Sequence, residues 1–219
     1  MSARAATGPA ETSSTRDAIL DAAERRFAER GFAGVSVREI AAEAGLKNQA
    51  SLYHHFEDKR ALYEATLARA LGAIVALIGE PQEGWRDAAE VGRNVDRMLD
   101  YLAAHPHVPA LIQRAGLDGS KSLRKAVTAL LRPVFARGLR ALEGALGPWE
   151  PDDLPHLATG LYHLIFGYFA DAALLETLVG KDPRSPAAVA RQRRFLRAAV
   201  VQLLGIAPVR AVGRARRNA

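Results

Sequence analysis

The sequence contains no cysteine. A disulfide framework, a thiolate metal site and a cysteine nucleophile are therefore all excluded. Long apolar runs are also lacking, because Arg, Gly or His interrupts the longest stretches before they reach 18 residues, and this argues against a membrane span. Residues 1–15 are small and polar and lack the apolar segment of a secretory signal. With 49% hydrophobic and 25% charged residues, the composition is typical of a folded globular protein, and we expect a cytoplasmic location.

The positive charge is concentrated at the C-terminal end of the sequence. Residues 187–219 contain eight arginines and no Asp or Glu, whereas the remainder of the chain is close to neutral. The net charge of +6 therefore belongs to the last predicted helix and the tail. A basic end of this kind is weak evidence for nucleic-acid binding, because such tails often only aid solubility.

Sustained alternation of apolar and polar residues is absent as well, so the sequence predicts an all-α protein. We expect a disordered leader over residues 1–14, a first domain over 15–78, a second over 85–206 and a disordered basic tail over 207–219. Gly and Pro in residues 79–84 mark the boundary. The apolar spacing predicts helices over 15–31, 37–44, 48–56, 59–78, 86–104, 108–116, 121–146, 153–179 and 187–204.

The first domain contains two short helices joined by a turn at Gly45. Ser36 and Glu39 have the spacing of a capping box, which predicts the start of the first short helix. Such a pair, over residues 37–56, is typical of a helix-turn-helix, although any helical hairpin with polar faces could share the pattern. Its polar side chains are those that contact phosphates and base edges. The candidates are Ser36, Arg38, Lys47, Asn48, Gln49, Ser51, Tyr53, His54, His55 and Lys59.

Three elements in this region occur together and in order: Arg30-Gly-Phe, Ile40-Ala-x-x-Ala-Gly, and Tyr53-x-His-Phe-x-x-Lys-x-x-Leu. In these elements the chain resembles the TetR family of bacterial transcriptional regulators over roughly residues 15–70. The resemblance implies an N-terminal three-helix DNA-binding domain and a C-terminal helical domain for ligand binding and dimerisation. The sequence departs from the common family pattern by one residue, since seven residues separate Gly45 from Tyr53 instead of six.

The resemblance also implies individual roles. Ser36 and Arg38 match positions that contact phosphate and bases respectively. Gln49 and Ser51 fall on the recognition helix, while Tyr53, His55 and Lys59 match phosphate-binding positions. We expect the additional residue to lie among Lys47, Asn48 and Gln49.

The second domain offers candidates rather than motifs. Residues 153–179 are apolar around most of the predicted helix, which would be about 40 Å long, so we expect burial on two sides. The resemblance implies that one side faces a ligand cavity and the other a second copy of the chain. Leu174 and Leu203 are the candidate dimer residues. The candidate ligand residues are Trp85, Leu111, Gln113, Arg114, Leu117, Phe135, Leu139, His163 and Phe166.

No spacing of residues suggests catalysis, a metal site or a cofactor. His105 and His107 flank a proline, His156 and His163 share a helix face, and Asp152 and Asp153 precede a helix where acids favour the dipole. The resemblance to the TetR family implies a homodimeric repressor that binds a palindromic operator and is released by a small apolar effector. The alternatives are a helical enzyme or carrier with an incidental helix-turn-helix, and a membrane-surface protein that uses the Arg-rich end.

Overall fold

A computed structural model of the chain describes residues 9–78, 87–117, 121–143 and 147–206. Over these ranges the chain is helical and forms no strand, which confirms the all-α prediction. The predictions for residues 1–8, for Trp85 and for the tail 207–219 lie outside these ranges. The α-helices are α1 Pro9–Arg30, α2 Val37–Glu43, α3 Lys59–Ile78, α4 Ala88–Ala104, α5 Val108–Leu117, α6 Lys121–Leu142, α7 Leu154–Tyr162, α8 Tyr168–Ala170, α9 Ala172–Val179 and α10 Pro186–Leu203. Gln49–His54 and Pro151–Asp153 are 3-10 helices, and His163–Gly167 is a π-helix.

The first helix is longer than the sequence indicated. It begins at Pro9 and not at Thr15, so the expectation of disorder was wrong for residues 9–14. Proline is tolerated in a first helical turn because its fixed φ suits the helix and its missing N–H has no partner to lose there. Ala10 and Glu11 that follow are good helix formers.

The N-terminal unit, residues 9–78, surrounds an aromatic and aliphatic core. Phe27 of α1 and Tyr63 of α3 meet edge to face with ring centroids 4.8 Å apart. Leu52 of the first 3-10 helix and Ile40 of α2 are fully buried in the same cluster. Each short element therefore inserts one large apolar side chain into the core, which fixes its position against α1.

Helix α3 is long and apolar enough, by length and composition, to cross a membrane. Seven of its residues are buried inside the fold, including Leu62, Leu67 and Ile74. It packs against α1 on one side and α6 on the other, so the protein core accounts for its apolar composition.

In the C-terminal unit, residues 87–206, α10 packs against α4. Asp96 of α4 accepts hydrogen bonds from Arg193 and Arg197 of α10, the Arg197 Nε bond being 2.9 Å long. Partial burial raises the pKa of Asp96, but the hydrogen bonds from these arginines outweigh burial and lower the pKa below its ordinary value. Part of the arginine-rich C-terminal sequence thus stabilises the fold itself.

The long helix predicted over residues 153–179 is divided into two segments by a bend. Residues 151–170 and 172–179 form an angle of 70° at Asp171, so the prediction of one continuous helix was wrong. The first segment also contains the π-helix, where Gln192 of α10 donates a 3.4 Å hydrogen bond to the carbonyl of Leu164. Tyr168 Oη donates to the carbonyl of Pro183 at 2.8 Å, which ties the chain beyond the bend back to the first segment.

Candidate nucleic-acid interface

The start of α2 is fixed by the predicted capping box. The backbone N–H of Ser36 donates to Glu39 Oε2 at 2.8 Å, and the N–H of Glu39 donates to Ser36 Oγ at 3.2 Å. Arg30 Nη2 also donates to this carboxylate at 2.8 Å. Hydrogen bonds from the Ser36 side chain and backbone, followed by that from Arg30, lower the pKa of Glu39 to about 2. Ser36 is exposed, but its hydroxyl is already engaged in this box.

A second acidic side chain holds α2 against α1. Glu43 accepts hydrogen bonds from Arg25 Nε at 2.6 Å and from Arg26 Nε. Burial raises the pKa of Glu43, but the two arginines outweigh it and lower the pKa below its ordinary value. Both carboxylates of α2 are therefore paired with arginines of α1. Within the described residues Arg38 makes no hydrogen bond or ion pair, and its side chain is exposed.

The turn after α2 depends on Gly45, whose φ of +75° lies in the left-handed region that favours glycine. The N–H of Gly45 donates to the carbonyl of Ala42 at 3.1 Å, and the N–H of Leu46 donates to that of Ala41 at 2.9 Å. These bonds satisfy the last carbonyls of the helix and reverse the chain.

The recognition element differs from the predicted helix over 48–56. It is a 3-10 helix over Gln49–His54, and Asn48 stands before it as the N-cap. Asn48 Oδ1 accepts from the N–H of Ser51 at 3.0 Å and from its hydroxyl at 3.3 Å. Asn48 and Ser51 thus bind each other, and Asn48 caps a helix that is shorter than predicted.

Four of the predicted DNA-contacting residues line one open groove between α2 and the 3-10 helix. The groove has a volume of about 310 Å³, and three apolar residues form the remainder of its wall. All four polar side chains are exposed. We name this surface the α2 groove; its lining residues are Arg38, Ala41, Ala42, Leu46, Lys47, Asn48 and Gln49.

The other candidates are not among the residues that line the groove. Tyr53 is 45% exposed and His54 is exposed, while His55 is half-buried. Lys59 Nζ lies 4.4 Å from the centroid of the Phe32 ring, in a cation–π contact. Lys59 is the first residue of α3, and its ammonium group lies over this aromatic ring.

Sequence reasoning missed two features of this surface. It did not identify Ala42, although Ala42 follows Arg38 by four residues and so shares its helix face. It also missed the hydrogen bonds from Arg25 and Arg26 to Glu43. These arginines lie 18 and 17 positions before Glu43, and no local sequence pattern joins them to it.

The candidate ligand residues of the C-terminal unit have different environments. Leu111 and Phe166 are buried in the core, and Leu139 is half-buried. Leu117 is 81% and Phe135 is 46% exposed, and Gln113 and His163 are exposed too. Arg114 has a different partner from the one expected: its Nε donates to the backbone carbonyl of Ala28 in α1 at 2.7 Å. The sequence could not separate core from surface here, because these apolar side chains share a similar helical spacing.

The two candidate dimer residues have different environments. Leu174 in α9 is 58% exposed. Leu203 in α10 is half-buried against the core of its own chain, and its carbonyl accepts a hydrogen bond from Trp149 Nε1. Leu174 is thus available to a partner, whereas Leu203 contributes to packing within the chain.

Comparison with known proteins gives a consistent result. Residues 19–66 match the model of the bacterial regulatory proteins of the TetR family. The chain is 33% identical over 107 residues to the transcriptional repressor SCO4008 of Streptomyces coelicolor, which covers 48% of this chain and 50% of that protein. It is 26% identical to the transcriptional regulator RutR of Escherichia coli over 78% of this chain and 82% of RutR. The match spans half or less of the first four curated relatives.

The fold agrees with these matches. The fatty acid degradation regulator FadR of Bacillus halodurans superposes with a TM-score of 0.64 at 19% identity, over 90% of this chain and 99% of FadR. The matched segment contains the capping box, Gly45 and the first 3-10 helix. Residues 19–66 thus match the TetR family of bacterial regulatory proteins, and the fold of the chain is similar to that of solved TetR-family regulators.

Proposed function

We propose that this protein is a cytoplasmic DNA-binding transcriptional repressor that binds a palindromic operator as a homodimer and is released by a small apolar effector. The observation that carries the proposal is the α2 groove, where Arg38, Lys47 and Gln49 stand exposed around one opening. The relatives named above as a transcriptional repressor and a transcriptional regulator support it.

The chemistry of the groove suits base edges in the major groove of DNA. An arginine can bond both acceptors of guanine, and glutamine or asparagine can bond adenine. The exposed methyl of Ala42 offers an apolar contact of the kind made to thymine. The pairing of Glu39 and Glu43 with α1 arginines keeps the carboxylates of α2 engaged away from an approaching phosphate backbone.

We expect other polar residues of the N-terminal unit to contact the DNA phosphates. Tyr53, His54, His55 and Lys59 carry donors for phosphate oxygens. Ser36 and Ser51 would donate to phosphate by exchanging their present hydroxyl bonds to Glu39 and Asn48. Such contacts give affinity and register without reading sequence, whereas the side chains within the groove give sequence preference.

Dimerisation is proposed through α9 and α10. Leu174 and Leu178 of α9 and Phe195 of α10 are exposed large apolar side chains, and burial of this kind of surface drives association. The bend at Asp171 makes α9 a separate segment, so the proposed interface involves α9 and not the whole of residues 153–179. The effector is proposed to bind in the C-terminal unit near the buried pair Leu111 and Phe166.

The test is to select DNA fragments from a random pool with the purified protein. We expect a palindrome whose half-sites are separated by about one helical turn, roughly 34–36 Å. The double variant Arg38→Ala/Lys47→Ala should lose the selected sequence. The matched control Arg132→Ala/Lys125→Ala, which removes exposed basic residues of the same types from α6, should retain it. Selection of no common sequence, or loss with both double variants, would contradict the proposal.

A further inference from the structure

Arg114 joins the two units of the chain by a hydrogen bond. It belongs to α5, which packs against α1, and its Nε donates to the Ala28 carbonyl at 2.7 Å across 86 positions of sequence. Ala28 lies in the last turn of α1 and is only 4% exposed. A cation at the C-terminal end of a helix also interacts favourably with the helix dipole.

The N-terminal unit moves with α1 because it is braced to that helix. Glu43 joins α2 to Arg25 and Arg26, and Glu39 joins it to Arg30. Arg69 of α3 bonds two further acids of α1, Asp21 at 2.8 Å and Glu24 at 3.3 Å. A rotation of α1 therefore carries α2, the first 3-10 helix and the α2 groove with it.

The units also pack through α1 on α5 and through α3 on α4, α5 and α6, and the buried side chains of these helices are mostly apolar. Apolar packing is nondirectional and resists separation more than small rotations or shifts. A hydrogen bond weakens steeply as its geometry departs from linear. The bond from Arg114 is thus suited to fixing the angle and register of α1 against α5.

We propose that Arg114 is a positioning residue that sets the orientation of the α2 groove relative to the C-terminal unit. This role rests on the proposed function, since its consequence is the spacing of two grooves in a DNA-bound dimer. When both half-sites of a palindrome must be engaged at once, a fixed spacing raises the effective concentration for the second contact. Binding to an isolated half-site uses one groove only and therefore does not depend on the spacing between the two grooves.

The first experiment compares a selected palindrome with its isolated half-site. Arg114→Met removes the donors and keeps an apolar stem of similar length. We expect its affinity for the palindrome to fall about tenfold while half-site affinity stays within about twofold. Arg114→Lys retains one charged donor and should recover part of the loss, and Arg132→Ala is the control. Equal loss on both DNAs, or no loss on either, would overturn the positioning role.

The second experiment needs no DNA. Because the chain has no cysteine, spin labels can be attached uniquely through Ala50→Cys in the first 3-10 helix and Ala187→Cys in α10, both exposed positions. Labelled chains are diluted with excess unlabelled chains so that intrachain distances are read. Arg114→Met should broaden the distance distribution and Arg132→Ala should not. An unchanged distribution overturns the positioning role alone, whereas a wild-type protein that selects no DNA overturns the proposed function.

Discussion

Arg38 provides the sharpest test of the DNA-reading surface. It is exposed in the α2 groove and has no hydrogen-bond or ion-pair partner among the described residues, so Arg38→Ala should leave folding intact. Loss of one base contact costs about 1–3 kcal/mol. Two half-sites double this to about 2–6 kcal/mol, which corresponds to a loss of affinity between about 30-fold and about 10⁴-fold.

The assay measures binding to the selected operator and to a scrambled duplex by fluorescence anisotropy across a salt series. We expect the loss on the operator and little change on the scrambled DNA, with relaxed preference at one base pair in each half-site. Thermal unfolding should match that of the wild type, and Arg132→Ala should bind both DNAs normally. The reasoning is refuted if Arg38→Ala weakens both DNAs equally, because that pattern belongs to a phosphate contact.

Three further perturbations test the parts that support this surface. Glu43→Gln should lower the free energy of unfolding by about 1–2 kcal/mol at pH 7, because two charge-assisted hydrogen bonds are lost from a partly exposed site. Because the pKa of Glu43 is lower in the folded state, this stabilisation is fully present above the ordinary pKa of glutamate and is lost as the pH falls through the folded-state pKa. Denaturant titrations at several pH values measure this dependence, and Glu57→Gln is the control. Leu52→Ala empties a fully buried position and should cost about 2–5 kcal/mol in the same titration; a loss below about 1 kcal/mol would contradict its anchoring role. Leu174→Glu should yield monomers in sedimentation velocity without loss of stability, whereas Leu203→Glu should destabilise the chain itself, and a dimeric Leu174→Glu protein would reject the α9 interface.

The sequence alone determined those features that depend on neighbours within one turn. The capping box of Ser36 and Glu39, the left-handed Gly45 and the helix starts at Val37 and Lys59 all agree with the structure. Caps join residues three positions apart, so their energetics are contained in a short segment. Four of the candidate residues lie within a short stretch of sequence, residues 38–49, and line the α2 groove together.

Tertiary structure decided the features that join distant parts of the chain. The bend at Asp171 separates segments whose apolar spacing alone predicts one helix, and the π-helix before it takes a hydrogen bond from α10. Leu111 and Leu117 are both leucines of α5, yet Leu111 is buried and Leu117 is exposed. Arg114 reaches a carbonyl 86 positions away. A backbone acceptor has no residue signature, and only the packing of α5 on α1 brings the Ala28 carbonyl within reach of that guanidinium.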